Sequence, residues 1–65
     1  MSIAIDLGNI TAGKNDATNF TAQLIRIVMK ADQRNRWKLI QVYPNLVRTV
    51  EEYQASGKIL DLPDD

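Results

Sequence analysis

Cysteine and histidine are both absent from this chain of 65 residues. Disulfide bonds are therefore impossible, the usual zinc ligands are missing, and neither a Ser-His nor a Cys-His nucleophile can be assembled within one chain. No apolar run approaches the ~20 residues that span a bilayer, and the first ten residues lack the basic start of a signal peptide. These absences predict a soluble cytoplasmic protein that is not an enzyme and has no metal or cofactor.

The chain is also short, which limits it to one domain. A core of fewer than ~70 residues rarely supplies more than ~3–5 kcal/mol, and such chains commonly gain stability by forming oligomers. Apolar residues nevertheless make up 45% of the sequence. We therefore expect a homo-oligomer, with a dimer favoured.

The first 18 residues have a different pattern from the rest. Ile3, Ile5 and Leu7 alternate with small or polar residues, which is typical of a half-buried strand. Glycine and polar residues then predict a loop at residues 13–16. We expect residues 1–18 to form an N-terminal arm that is extended or partly mobile. Pairing across an oligomer, packing on the helices as extended chain, and mobility all stay open.

Residues 8–14 (GNITAGK) satisfy the first seven places of the phosphate-binding P-loop motif. The motif needs Ser or Thr in its last place to hold Mg²⁺, and Asn15 stands there instead. A P-loop also needs a parallel sheet, which the remaining sequence does not predict. We interpret these residues as a surface loop bounded by glycines.

From Asn19 to Gly57 the pattern is helical. Asn19 or the preceding Thr18 can cap a first helix, Asp32 a second, and Pro44 can begin a third that Gly57 ends. A single bent helix continuing through Asp32 is the alternative. These signals predict a small all-α three-helix domain in residues 19–57, with helices at about 20–31, 33–43 and 44–56.

The first predicted helix carries a wide apolar stripe. Its members recur at helical spacing and are Phe20, Leu24, Ile27, Val28 and Ala31. Because Ile25 and Met29 widen the stripe, this helix needs two neighbours, which are either both from its own chain or one from another subunit. In the second helix we favour a core position for Trp37, with a surface position as the alternative.

The tail, defined as residues 58–65, alternates acidic and apolar residues. It is either a disordered end or a peptide that docks in a groove, on its own chain or on a sister subunit. We expect Ile59 and Leu60 to pack and the last three residues to be mobile.

A set of core and cap residues within residues 19–58 resembles a family of short, mostly uncharacterised proteins encoded by bacteriophages and prophages. These residues are Phe20-Thr21, Leu24, Lys30-Ala31-Asp32, Asn35, Leu39, Tyr43-Pro44, Val47 and Glu51-Glu52-Tyr53. Members often have phenylalanine where Tyr43 stands and tryptophan where Tyr53 stands. The resemblance implies a phage-type accessory protein in the cytoplasm of an infected or lysogenic bacterium. By analogy, such proteins act by stoichiometric binding, including inhibition of host defence proteins.

Charge is segregated along the chain although the net charge is zero. Residues 26–48 contain six bases and one acid, whereas residues 51–65 contain five acids and one base. This asymmetry predicts a surface that binds an anion or a partner. The candidate residues are Arg26, Lys30, Arg34, Arg36, Lys38 and Arg48, with Trp37 as a stacking ring. Solvated helix faces and contacts between subunits are the alternatives.

Three functions follow from these observations. The first is stoichiometric binding that inhibits a host protein. The second is a sponge that sequesters a small anionic signalling nucleotide at an oligomer interface, with Arg34, Arg36 and Lys38 around Trp37. The third is a nucleic-acid-binding accessory protein, which a net charge of zero and a pI near 6.1 disfavour.

Overall fold

A computed structural model describes residues 2–13 and 18–65. Throughout these residues the regular structure is helical, and no strand is found among them. The helices are α1 (Ile3–Thr11), α2 (Phe20–Lys30), α3 (Gln33–Ile40) and α4 (Pro44–Ser56). Helix α4 contacts the other three helices, and α1 also packs on α2. The all-α prediction is confirmed.

The N-terminal segment is a helix, so the predictions of an extended arm and of three helices are wrong. The Ser2 hydroxyl caps α1 by accepting a hydrogen bond from the Ile5 N–H at 3.1 Å. Ile3 and Leu7 are buried four residues apart on one helical face, whereas Ile5 is 64% exposed. The apolar residues of so short a segment fit the period of a strand as well as that of a helix. A helix forms because it packs the face with Ile3 and Leu7 on α2 and α4. Of the loop predicted at residues 13–16, Gly13 is described and the other three residues lie outside the described residues.

Side-chain caps begin α2 and α3 where the sequence predicts. The Asn19 carboxamide oxygen accepts a hydrogen bond from the Ala22 N–H at 3.0 Å, and the Asp32 carboxylate accepts one from the Asn35 N–H at 2.8 Å. Each bond satisfies one of the N–H groups that lack a partner in the first turn of a helix. The cap at Asp32 separates α2 from α3, so the alternative of one continuous helix is wrong.

The limits of α4 also agree with the prediction. Pro44 is its first residue, and Gly57 ends it with a φ of 78°, a left-handed conformation that favours glycine. Helix α3 ends at Ile40, three residues earlier than predicted. Its last turn tightens, because the N–H groups of Gln41 and Val42 donate to carbonyl oxygens three residues back, at 3.3 and 3.1 Å. The helix does not continue through Tyr43, since the following Pro44 disfavours helical geometry in the residue before it.

Aliphatic residues from α1, α2 and α4 form the core. Its buried members are Ile3, Leu7, Leu24, Ile25, Val28, Leu46, Val47 and Val50. Side chains of α3 only pack against its edge, including Leu39 and Ile40. The wide stripe of α2 is explained by two neighbours from its own chain, α1 and α4.

Three apolar side chains predicted in the core lie at the surface instead. Phe20 is 66% exposed, Ile27 54% and Trp37 67%. Phe20 is the first residue of α2, where its ring reaches only as far as the Tyr43 ring, 6.0 Å away between centroids. Ile27 follows the buried Ile25 by two residues and so lies on the other side of α2, away from α1 and α4. Trp37 is exposed because α3 covers only one edge of the bundle.

The tail folds back along α4 and docks on its own chain. Asp65 accepts hydrogen bonds from the N–H groups of Asn45 and Leu46, both at 3.0 Å. Asp64 accepts one from the Ile3 N–H at 3.1 Å. The two carboxylates thus cap the first turns of α4 and α1, where the helix dipole also favours negative charge.

Candidate functional site

The seven candidate residues do not form one patch. Arg26 and Lys30 lie on α2, Arg48 lies on α4, and the remaining four lie on α3. Six of them line four depressions, two of which adjoin each other, and Arg34 lines none of the four. The basic candidate residues therefore lie in different surroundings, and these surroundings determine what each side chain can bind.

One depression lies in the corner between α2 and α3. We call it the α2–α3 groove, and its lining residues are Ile27, Lys30, Ala31, Asn35, Lys38 and Leu39. It is open to solvent and has a volume of about 430 Å³. The corner forms because α2 ends at Lys30 and the Asp32 cap starts α3 almost at once.

The chemistry of the α2–α3 groove is mixed. Ile27, Ala31 and Leu39 supply apolar surface, of which Ile27 is the most exposed part. Lys30 and Lys38, one from each helix, supply two ammonium groups, and none of the acidic residues that the structure describes lines the groove. Lysine stems can also cover apolar surface while their charged ends stay in water. Such a lining suits a ligand that combines negative charge with an apolar face.

A second, shallower depression continues along the outer face of α2. It has a volume of about 340 Å³ and shares Ile27 and Lys30 with the α2–α3 groove. Gln23, Arg26 and Met29 complete its lining. The two depressions together form a continuous surface in which basic and apolar side chains alternate.

Arg36 is used within the fold. Its Nε–H donates to the Ala31 carbonyl oxygen at 3.2 Å, and its guanidinium lies 3.8 Å from the Glu51 carboxylate. These contacts attach α3 to the end of α2 and to α4. Because its charge faces an acidic side chain, Arg36 is poorly placed to hold an external anion.

Trp37 lies beside Arg36 in a small depression of about 170 Å³ that Glu51 also lines. The predicted constellation of arginines around this ring is not assembled. Arg34 is exposed and, although it stands three residues before Trp37, it does not line the depression. Lys38 belongs to the α2–α3 groove instead.

Arg48 lines a groove of about 510 Å³ between α4 and the tail. Glu51 and Glu52 line the same groove, so its basic charge is locally balanced. Leu60 and Leu62 of the tail supply the apolar surface. This groove is occupied in part by the protein's own chain.

The P-loop motif does not form a phosphate cradle in the described residues. Residues 8–11 belong to α1, and the Ala12 N–H donates to the Gly8 carbonyl oxygen at 3.0 Å. These backbone groups are therefore used in helical hydrogen bonds. The interpretation of residues 8–14 as a surface loop is therefore wrong for residues 8–11, which are helical. Lys14 lies outside the described residues.

Two features of the structure were not predicted from the sequence, one in the groove and one in the fold. Ile27 was assigned to the core although it forms exposed apolar surface in the α2–α3 groove. Asp6 was not singled out, yet its carboxylate is buried and accepts one hydrogen bond from the Asn19 side-chain amide at 3.1 Å. Its second oxygen has no partner among the described residues.

The comparisons with known proteins yield no match: no family model, no curated protein and no solved structure matches this chain. In the part of the chain that the structure describes, none of the helices is long and apolar enough to cross a membrane.

Proposed function

We propose that this protein is a non-enzymatic binding module that captures an acidic, partly apolar segment of a partner protein in the α2–α3 groove. In a phage-type setting, such capture inhibits a host defence protein by stoichiometric binding. The observation that carries the proposal is the pairing of exposed Ile27 with Lys30 and Lys38 in a groove without acidic residues.

The two kinds of surface in the groove have different roles in binding. Covering an apolar side chain of this size contributes about 1.5–3 kcal/mol when the side chain passes from full exposure to full burial. Ile27 starts from a little more than half exposure and offers part of that gain. The two ammonium groups steer an acidic partner and fix its register, which favours specificity and rapid association.

The groove lining also supports binding over catalysis. Its polar groups are two amines and the Asn35 carboxamide, with no carboxylate to act as a general acid or base. The buried carboxylate of Asp6 is enclosed in the fold and does not line the groove.

Reversing the charge of the groove is expected to abolish capture of the partner. The double variant Lys30→Glu/Lys38→Glu repels an acidic segment and should weaken affinity at least about 100-fold, or ~2.7 kcal/mol. The measurement is co-purification from host lysate with mass spectrometry of proteins and small molecules, followed by titration of the identified partner.

The matched control is Arg34→Glu/Lys58→Glu, which makes the same change in net charge outside the groove. It should retain the partner at one copy per binding site. If both double variants lose partner binding equally, the effect is due to net charge alone. If Lys30→Glu/Lys38→Glu still binds the partner, the α2–α3 groove is not the binding site.

A second candidate function, sequestration of a small anionic nucleotide, is favoured by the exposure of the Trp37 ring. Base stacking on an aromatic ring needs such an exposed face. A nucleotide present at about 100 times its Kd should stabilise the protein by ~2.7 kcal/mol and raise its Tm. Trp37→Ala should remove that rise, while its own effect on stability stays small because the ring is mostly exposed. A flat thermal response across a panel of cyclic and linear nucleotides would exclude this function.

A further inference from the structure

A small cavity lies where the starts of α1, α2 and α4 meet the end of the tail. Its volume is about 180 Å³, and Ile3, Leu24 and Leu46 form the aliphatic part of its lining. We call it the aromatic–acidic cavity, after four other residues of the lining, Phe20, Tyr43, Asp64 and Asp65. Pockets that enclose a whole small molecule usually have volumes of about 300–1,000 Å³. The aromatic–acidic cavity is therefore of a size to hold one side chain.

The two aromatic rings of the cavity belong to Phe20 and Tyr43. Their centroids lie 6.0 Å apart and their planes are inclined at 51° to each other. The Phe20 side chain is 66% exposed, so a ligand can reach its ring. A cation within about 6 Å of a ring centroid is attracted by the negative face of the ring. Because the two planes are inclined, they form no parallel slot for a flat group, and the pair suits a compact cation.

The two carboxylates give the cavity a negative charge. Asp64 and Asp65 carry two unit charges, whereas each of the three helix starts at the cavity contributes about half a positive charge. The sum therefore stays negative. None of the basic residues that the structure describes lines the cavity. Its charge and its rings are thus both complementary to a cation.

The hydrogen bonds of the two carboxylates favour an ammonium over a guanidinium group. Both oxygens of Asp65 accept hydrogen bonds from backbone N–H groups, and Oδ1 of Asp64 accepts another. Neither carboxylate has both oxygens free for the paired hydrogen bonds that an arginine side chain makes best. An ammonium group is a compact charge that can use the remaining lone pairs.

We propose that the aromatic–acidic cavity binds a single lysine side chain of a partner protein. The methylene stem of that lysine covers the rings and the aliphatic lining, and its ammonium group lies against the ring faces and the two carboxylates. This inference is independent of the α2–α3 groove, because the two sites share no residue.

Titration of the full wild-type chain, followed by nuclear magnetic resonance, tests the proposal. The probes are the Nα-acetyl N-methylamides of lysine, norleucine and arginine, which share a backbone and differ in the charge or shape of the side chain. The lysine probe should shift the ring signals of Phe20 and Tyr43 with a dissociation constant on the order of 1–10 mM. The other two probes should bind at least about fivefold more weakly. The proposal is overturned if the lysine probe shifts neither ring at about 50 mM, or if either other probe binds as tightly.

Removing the charge of the cavity while keeping its helix caps tests the role of the carboxylates. Asp64→Asn/Asp65→Asn leaves a side-chain oxygen at each cap, since asparagine caps a helix about as well as aspartate. This variant should bind the lysine probe at least about tenfold more weakly and the norleucine probe as before. If its affinity for the lysine probe equals that of the wild type, the carboxylates do not hold the ammonium group and the proposal is rejected.

Removing the more accessible ring tests the aromatic contribution. Phe20→Leu should weaken binding of the lysine probe about two- to fivefold, the usual size of an exposed cation–π interaction. The matched control is Trp37→Leu, because the Trp37 side chain is 67% exposed and lies outside the cavity. The control should bind the lysine probe as the wild type does. Equal weakening in both variants would mean that the probe binds exposed rings in general, which overturns the cavity as its site.

Discussion

Replacing Ile25 with alanine is expected to leave a large fraction of the protein unfolded at room temperature. The side chain is fully buried in α2, which packs on α1 and α4. Truncating a buried isoleucine to alanine costs about 2–5 kcal/mol, because transfer free energy is lost and a cavity remains. A core of this size supplies only ~3–5 kcal/mol in total. Far-UV circular dichroism during a urea titration measures the change in free energy of unfolding.

The matched control is Ile27→Ala, the same substitution two residues later in the same helix. Ile27 is 54% exposed and lies in the α2–α3 groove, so its loss should cost less than about 1 kcal/mol. Equal costs at the two positions would mean that α2 is rotated in solution relative to the structure. The pair also separates stability from function, since Ile27→Ala should weaken partner binding in a folded protein.

The double variant Asp64→Ala/Asp65→Ala is expected to destabilise the protein by about 2 kcal/mol. The two carboxylates accept hydrogen bonds from three backbone N–H groups at the starts of α1 and α4. Loss of one helix cap typically costs ~1 kcal/mol, and the favourable interaction of each charge with a helix dipole is lost as well. Urea denaturation measures the change in free energy of unfolding. Faster amide hydrogen exchange at Ile3, Asn45 and Leu46 shows that the lost hydrogen bonds are those at the starts of α1 and α4.

Asparagine at the same two positions is the control, because its side-chain oxygen caps a helix about as well as that of aspartate. Asp64→Asn/Asp65→Asn should therefore recover most of the stability that the alanine variant loses. Measurement at about 5 µM reduces the contribution of any dimer. Unchanged stability and unchanged exchange rates in the alanine variant would show that the tail does not cap these helices in solution.

Local hydrogen bonding explains why the starts of α2, α3 and α4 and the end of α4 were predicted well. Caps at Asn19 and Asp32 and the glycine at residue 57 act within a few residues of the chain. The same local reasoning failed for α1, because Ile3, Ile5 and Leu7 fit a strand or a helix until packing on α2 and α4 selects one of them. A period cannot be assigned from three apolar residues alone.

Of the six residues that line the α2–α3 groove, two were candidates from the sequence, and their arrangement was not predicted. The sequence identified Lys30 and Lys38 as basic residues of a binding surface, and the structure places both in the α2–α3 groove. It did not predict that Arg36 would be held by Glu51 and the end of α2. Charge along a sequence does not specify which side chains face one another, because that depends on how the helices cross.

The amino-acid sequence by itself determined that this protein is helical, where α2, α3 and α4 begin, and that its basic residues are concentrated in its middle third. Tertiary structure alone decided that α1 completes the core, that Ile27 and Trp37 lie at the surface, and that the tail caps two helices. Caps and turns depend on neighbours within a few residues, whereas burial depends on elements distant in sequence. In this chain the distant elements are α1 and α4, which pack on α2 and bury the side that carries Ile25, while Ile27 stays at the surface in the α2–α3 groove.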